Sequence, residues 1–140
     1  MSKNFRLEIL TPGRELLKAE VSEVVLPAQD GECGILAEHE DFVGLVGTGP
    51  LKIVKGGNDY WFMVSRGVFE VRSGEVTVFA SLAEKADEVK VDEAKSKVTE
   101  LEKLFADHQK FDPDSYPAQK IAYDQNRARL EIHRRTDLVN

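Results

Sequence analysis

The chain has 140 residues, of which 41% are hydrophobic, and a formal net charge of −6. That length fits one ordinary domain or two small ones, and no apolar run approaches the roughly 20 residues that a membrane-spanning helix needs. The acidic balance argues against a general affinity for nucleic-acid phosphates, and a single cysteine, Cys33, rules out an internal disulfide and suits a reducing compartment.

The opening MSKNFRLEIL carries neither an extended apolar core nor an Arg/Ser-rich leader, so neither a secretory signal nor an organelle-import signal is expected. Charge is unevenly spread. Up to Glu88 there are 9 Lys/Arg against 15 Asp/Glu, and from Val89 onward 10 against 10. The late cations concentrate, with Arg127, Arg129, Arg134 and Arg135 inside nine positions.

The first 85 residues predict β structure. Phe5, Leu7 and Ile9 alternate with Arg6 and Glu8 and then meet the turn Thr11-Pro12-Gly13. A run from Val21 to Leu26 stops at Pro27, and Gly34-Ile35-Leu36 is a short third strand. Leu51, Ile53 and Val54 follow a stretch punctuated by Gly47, Gly49 and Pro50. Two hairpins come next, one around Gly56-Gly57-Asn58-Asp59 and one around Ser73-Gly74. Short strands with turn signals every 8–12 residues predict a sandwich or flattened barrel, not a parallel sheet. Trp61 falls on the face opposite Tyr60 and Phe62, and alternation does not say which face is buried.

After Ala80 the texture changes. Glu84-Lys85-Ala86-Asp87-Glu88 reads as a polar linker. Val91, Ala94, Val98, Leu101, Phe105 and His108 then recur at spacings of three and four, one face of a helix with Asp92 and Glu93 in its first turn. Phe111 to Pro117, with two prolines, interrupts it. Ala118, Ile121, Ala122, Gln125, Ala128 and Ile132 form the stripe of a second helix. Each helix is expected to run about 17–20 residues, roughly 25–30 Å. Residues 90–138 thus predict a helical hairpin that buries little area by itself and needs a surface to dock on.

Catalysis finds little support. Cys33 and His39 lack a third orienting group and an oxyanion loop, so they read as a turn residue and a loop histidine. His39, His108 and His133 lack metal-ligand spacing. Gly31-Glu32-Cys33-Gly34 has no lysine and places an acid where a phosphate would sit, so it predicts a turn. The basic strip of the second helix is either a solvated face or, because Lys120, Arg127 and Arg134 recur every seven residues, a surface for an acidic partner. A β-barrel adaptor with an RNA-binding helix and a small Cys/His enzyme are the two rival readings.

The stretch GECGILAEHEDF, the later RGVFEVRSGEVTVFA and the helix start Val91-Asp92-Glu93-Ala94-Lys95 resemble, in that order, the epsilon subunit of the F-type ATP synthase over nearly the whole chain. The resemblance implies a sandwich of about ten strands followed by a two-helix hairpin. It implies a non-catalytic rotor subunit of the proton-translocating enzyme, peripheral to the cytoplasmic face of the bacterial inner membrane. The sandwich would bind the gamma subunit, and Glu32 and His39 would face the polar loops of the c-ring. The hairpin would inhibit ATP hydrolysis when extended into the alpha/beta catalytic head, with Arg127, Arg129 and Arg134 meeting an acidic segment of the beta subunit. No resident cofactor and no metal are implied. Asp92 and Lys95 fall on a pattern by which some members bind ATP. Here Lys stands for Arg and Ser96 for Ala, so any nucleotide contact is expected to be weak.

Overall fold

The computed structural model describes residues 3–139, and the side chains of residues 3–136. Seven strands come first: β1 (Phe5–Thr11), β2 (Arg14–Val21), β3 (Glu23–Ala28), β4 (Gly31–Leu36), β5 (Phe42–Lys55), β6 (Asn58–Arg72) and β7 (Glu75–Lys85). A single 3-10 turn at Ala86–Glu88 leads to α1 (Val91–Ala106) and α2 (Tyr116–Val139). The strands form one continuous sheet in the order β2-β1-β7-β6-β5-β3-β4, antiparallel throughout except for the β1–β7 pair.

Both predicted hairpins are present. Their turn residues, Gly56-Gly57 and Ser73-Gly74, all have φ between 53° and 79°, the backbone that tight two-residue turns require. The three long strands were expected to be shorter pieces. Gly47 of β5, Arg66 of β6 and Ser81 of β7 drop out of the pairing ladder in one row across the sheet, and Arg66 takes φ 50°. On β6 the inward side chains are Phe62 and Val64 before that row and Phe69 and Val71 after it, so the inward parity switches there. The row is a kink that folds the sheet onto itself as a sandwich. Seven continuous strands are present, and counting the two halves of β5, β6 and β7 separately recovers the expected ten.

One apolar core fills the sandwich, with Leu7, Ile9, Val24, Leu26, Ile35, Leu51, Val64 and Val78 wholly buried. All its members come from the β strands, so the β domain has its own core. The helices pack in sequence on its outside. α2 lies against β5 and β6, and α1 packs on α2. Ala94, Val98 and Leu101 are the buried face of α1, as the periodicity predicts. His108, placed on that stripe from spacing, lies beyond the helix, which ends at Ala106. α2 is longer than expected, at 24 residues, because Pro117 falls in its first turn, where no amide hydrogen is required. Asp112 precedes it, accepting from the Asp114 amide and the Ser115 hydroxyl. An aromatic group of Phe105, Phe111, Tyr116 and Tyr123 joins the helices at the loop end, with ring centroids 5.1–5.8 Å apart.

The segment 84–88 is not a slack linker. Glu84 and Lys85 end β7, and Glu88 accepts from the Lys85 amide and pairs with Arg14 on the β1–β2 turn at 2.9 Å. The Arg14 guanidinium, with the Lys85 amide behind it, holds the Glu88 carboxyl below the usual carboxylate range.

Candidate functional site

Three surfaces are candidates for contact with other molecules. The first is the outer face of the kinked sheet. Register places Leu10 beside Phe79, Phe79 beside Val68 and Val68 beside Leu45, one cross-strand row over β1, β7, β6 and β5. Leu45, Val68 and Phe79 are 53%, 40% and 47% exposed, and Val43 next to them on β5 is 67% exposed. The parity switch creates this row: up to the kink the outer face of β6 is covered by α2, which packs on Met63 and Ser65, and from the kink to its end at Arg72 that face carries the exposed Val68. A contiguous exposed apolar strip of this kind is unusual on a chain that functions alone.

The second surface is the end of the sandwich that carries the histidine loop. Glu32 is exposed near the start of β4, and His39 follows the end of that strand. They lie toward opposite ends of β4 and do not form one cluster. His39 is half-buried; its Nδ1 lies 2.8 Å from the Glu40 carbonyl, and its ring stacks at 4.8 Å on Phe42, which meets Phe69 of the core edge-on. Glu38, at φ 68°, pairs with Lys3, and Asp41 accepts the Ser73 amide. The loop is therefore fixed to the core and to the β6–β7 turn. Cys33 is half-buried, and burial, with Asp30 nearby, pushes its thiol up, the opposite of an activated nucleophile.

The third surface is the seam between α2 and the sheet. Its buried apolar part is small: Met63, Ala128 and Ile132, flanked by Trp61, Leu82, Ala86 and Val89. The rest is polar. Ser65, wholly buried, receives Gln125 Nε2 at 3.0 Å and shares a hydrogen bond with Thr48. Arg129 donates to both Glu84 oxygens, at 2.8 and 2.7 Å, and to Asn126, with both charged side chains about four-fifths buried. Such a planar two-bond pair is strong while made and leaves a costly unpaired charge when one member is removed.

The three predicted arginines do not share one face. Arg129 turns inward to Glu84, whereas Arg127 and Arg134 are exposed and line a groove of about 580 Å³ against Thr48 and Pro50. Arg134, with Arg135, pairs with Glu131 and holds that carboxyl below its usual range. Lys120, the third member of the heptad strip, pairs with Asp124 at 2.7 Å. Asp92 and Lys95 are exposed on α1, and Lys95 lines a groove along that helix with Lys103 and Lys110, without Asp92 among its lining residues. Among the described residues no group of three or more His, Cys, Asp or Glu is arranged to hold a metal, and no helix is long and apolar enough to cross a membrane.

Glu84 was missed as a functional residue because its partner lies 45 positions away, and nothing local marks it. Replacing it tests the seam. Glu84→Gln is expected to cost about 1–3 kcal/mol of docking free energy by stranding the Arg129 charge. Amide exchange along α2 should accelerate by roughly tenfold or more, while exchange in β6 and β7 keeps its rate.

The architecture and sequence have clear relatives. The family model described as ATP synthase, Delta/Epsilon chain, beta-sandwich domain matches residues 4–86. The chain belongs to the epsilon family of ATP synthase subunits. The ATP synthase epsilon chain of Desulforamulus reducens is 40% identical over 96 residues, covering 69% of this chain and 73% of that one. That of Caldicellulosiruptor saccharolyticus is 34% identical over 133 residues, covering 94% and 96%, so the likeness includes the helices. The fold is shared with a chain in the structure of Euglena gracilis mitochondrial ATP synthase, OSCP/F1/c-ring, at TM-score 0.78 and 20% identity over 89% of this chain and 78% of that one. It is also shared with one in the Tetrahymena thermophila mitochondrial ATP synthase central stalk/c-ring, at TM-score 0.64 and 16% identity over 95% and 99%. Membership makes this epsilon-family chain a subunit of a larger enzyme.

Proposed function

We propose that this chain is a non-catalytic central-stalk subunit of a proton-translocating ATP synthase, peripheral to the cytoplasmic face of a bacterial inner membrane. The β domain grips the gamma subunit through the row Leu10–Phe79–Val68–Leu45. Glu32 and His39 face the c-ring loops at separate points of the sandwich, with the fixed His39 loop as a rigid contact. The hairpin regulates. Docked, it leaves hydrolysis running; extended into the alpha/beta head, it inhibits, with Arg127, Arg129 and Arg134 meeting beta-subunit carboxylates. Asp92 and Lys95 offer at most a weak nucleotide contact.

The seam is the observation that carries this reading. Its fully buried apolar part is three side chains, and the rest is exchangeable hydrogen bonds and one ion pair. An arginine that leaves Glu84 for another carboxylate exchanges like for like, so the two positions of α2 can lie close in free energy and differential contacts decide between them. The bare row supports the gamma assignment, since an exposed apolar strip of Leu45, Val68 and Phe79 calls for a covering partner.

Capture of a gamma subunit tests the gripping surface. Val68→Asp with Phe79→Asp puts two charges on exposed positions outside the core, so the domain is expected to stay folded while affinity for gamma falls at least tenfold. Undiminished capture would move the gamma contact elsewhere.

A further inference from the structure

The root of the hairpin is held by a charged clamp on the far side of the sandwich edge. Arg14 stands on the β1–β2 turn, which the Thr11 hydroxyl closes with two 3.2 Å bonds to the Arg14 backbone. From there the guanidinium meets the Glu88 carboxylate as a planar fork, Nη1 to Oε2 and Nη2 to Oε1, each at 2.9 Å. Nη2 also donates to the Ala83 carbonyl at 3.3 Å, and Glu88 Oε1 accepts the Lys85 amide at 2.8 Å. An exposed ion pair contributes little as a rule. The exception is a two-bond arginine fork inside a network, which is the arrangement here. Glu84, the other carboxylate near Arg14, is held by Arg129, so each arginine has its own acid.

The clamp decides how much chain is free to move. Lys85 ends β7 and pairs with Phe62 of β6, and α1 begins at Val91, so residues 86–90 join sheet to hairpin. With Glu88 pinned, Val89 and Lys90 are what remains between the fixed turn and α1. Both have extended backbone, at φ −73°, ψ 129° and φ −93°, ψ 94°. We propose that Arg14 is a positioning residue for the hairpin: by clamping Glu88 it sets the pivot at Val89–Lys90 and keeps the tether of α1 and α2 short. This rests on the reading of the hairpin as a movable element. A short tether holds the hairpin at high effective concentration over its docking seam. The cost of closing a tether grows with its length to the three-halves power. Lengthening it from two residues to five therefore raises the undocked-to-docked ratio about fourfold. The clamp acts on docking without touching the seam itself.

Amide hydrogen exchange on the full chain tests this, reading α2 between residues 119 and 132 against β6 and β7. Arg14→Ala and Glu88→Ala are each expected to accelerate α2 about fourfold, with β6 and β7 unchanged. The double variant should match either single one, because the two residues act as one unit. Three glycines inserted between Val89 and Lys90 of the parent chain lengthen the tether and leave the clamp intact. They should also accelerate α2 about fourfold, but only about twofold when added to Arg14→Ala, where the tether already has five residues. A clamp that merely steadies the turn would loosen the Val89 amide, which donates to the Ala86 carbonyl, and leave α2 alone. Unchanged α2 exchange in Arg14→Ala, equal acceleration of β6 and β7, or an insertion effect as large in Arg14→Ala as in the parent would each overturn the proposal. The movable hairpin is judged separately, by whether α2 opens more readily than β6 and β7 in the parent chain.

Discussion

An ATP synthase assembled with this subunit cut after Glu88 is expected to hydrolyse ATP several-fold faster than one carrying the full chain, with the complex still assembled. The cut removes α1, α2 and their joining loop and leaves every residue of the sandwich core, which draws nothing from the helices. Arg14–Glu88 and the Glu88 bond to the Lys85 amide stay in place, so the new end of the chain remains tied to the β1–β2 turn. What the truncated domain gains is exposure of Met63, Trp61 and Leu82, a small patch compared with the core it keeps. The measurement is the hydrolysis rate of the two complexes at matched gamma content. An unchanged rate would remove inhibition from the account of the hairpin.

The second large effect belongs to the kink. A Cβ built on Gly67 would stand 1.8 Å from the carbonyl oxygen of Phe79 and 2.9 Å from the Ala80 Cα. These are backbone atoms of the neighbouring strand, so no rotamer change relieves the overlap. β6 and β7 would have to part beside Arg66, where the ladder is already interrupted and the sheet bends. Gly67→Val is expected to destabilise the domain by about 3–5 kcal/mol, a fall in melting temperature of roughly 10–20 °C. Gly13→Ala is the control: its Cβ meets nothing within 4 Å, and its effect should stay within about 0.5 kcal/mol. Thermal unfolding of the two variants beside the parent chain reads both effects. Near-equal melting temperatures would mean that the β6–β7 contact at the kink is not tight.

Local pattern carried most of the architecture. Alternation in Phe5–Ile9, the turn residues at Gly56-Gly57 and Ser73-Gly74, and the three-four spacing from Val91 to Leu101 each follow from a period that one segment sets by itself. What stayed hidden depends on neighbours. The first half of β5 reads as a loop because it holds Gly44, Gly47, Gly49 and Pro50. It is nevertheless a strand: Pro50 pairs with Met63 on one side and falls, on the other, where the β3–β5 register shifts between Val25 and Ala28, so its missing amide hydrogen is not needed. Period-two alternation assumes constant parity, and the row Gly47–Arg66–Ser81 breaks it. Alternation does not choose a face for Trp61 because both faces of that half of β6 are covered, Phe62 by the sandwich core and Met63 by α2, whereas the parity break hides the exposed row around Val68. Helix spacing orients His108 only as far as the helix extends, and α1 stops two residues short of it.

The candidate sites divide along the same line. Motif positions named Glu32, His39 and the three arginines, but a motif carries no information on which groups meet. Geometry separates Glu32 from His39 along β4 and turns Arg129 away from Arg127 and Arg134 to a carboxylate on β7.

The account rests on a β domain that stands by itself and a hairpin that can leave it, and amide hydrogen exchange on the intact chain tests that division most directly. Amides of α2 between residues 119 and 132 are expected to exchange through an opening at least about 2 kcal/mol less costly than the one that exposes β6 and β7. A single common opening free energy for α2, β6 and β7 would mean that hairpin and sandwich unfold as one unit, and would contradict it.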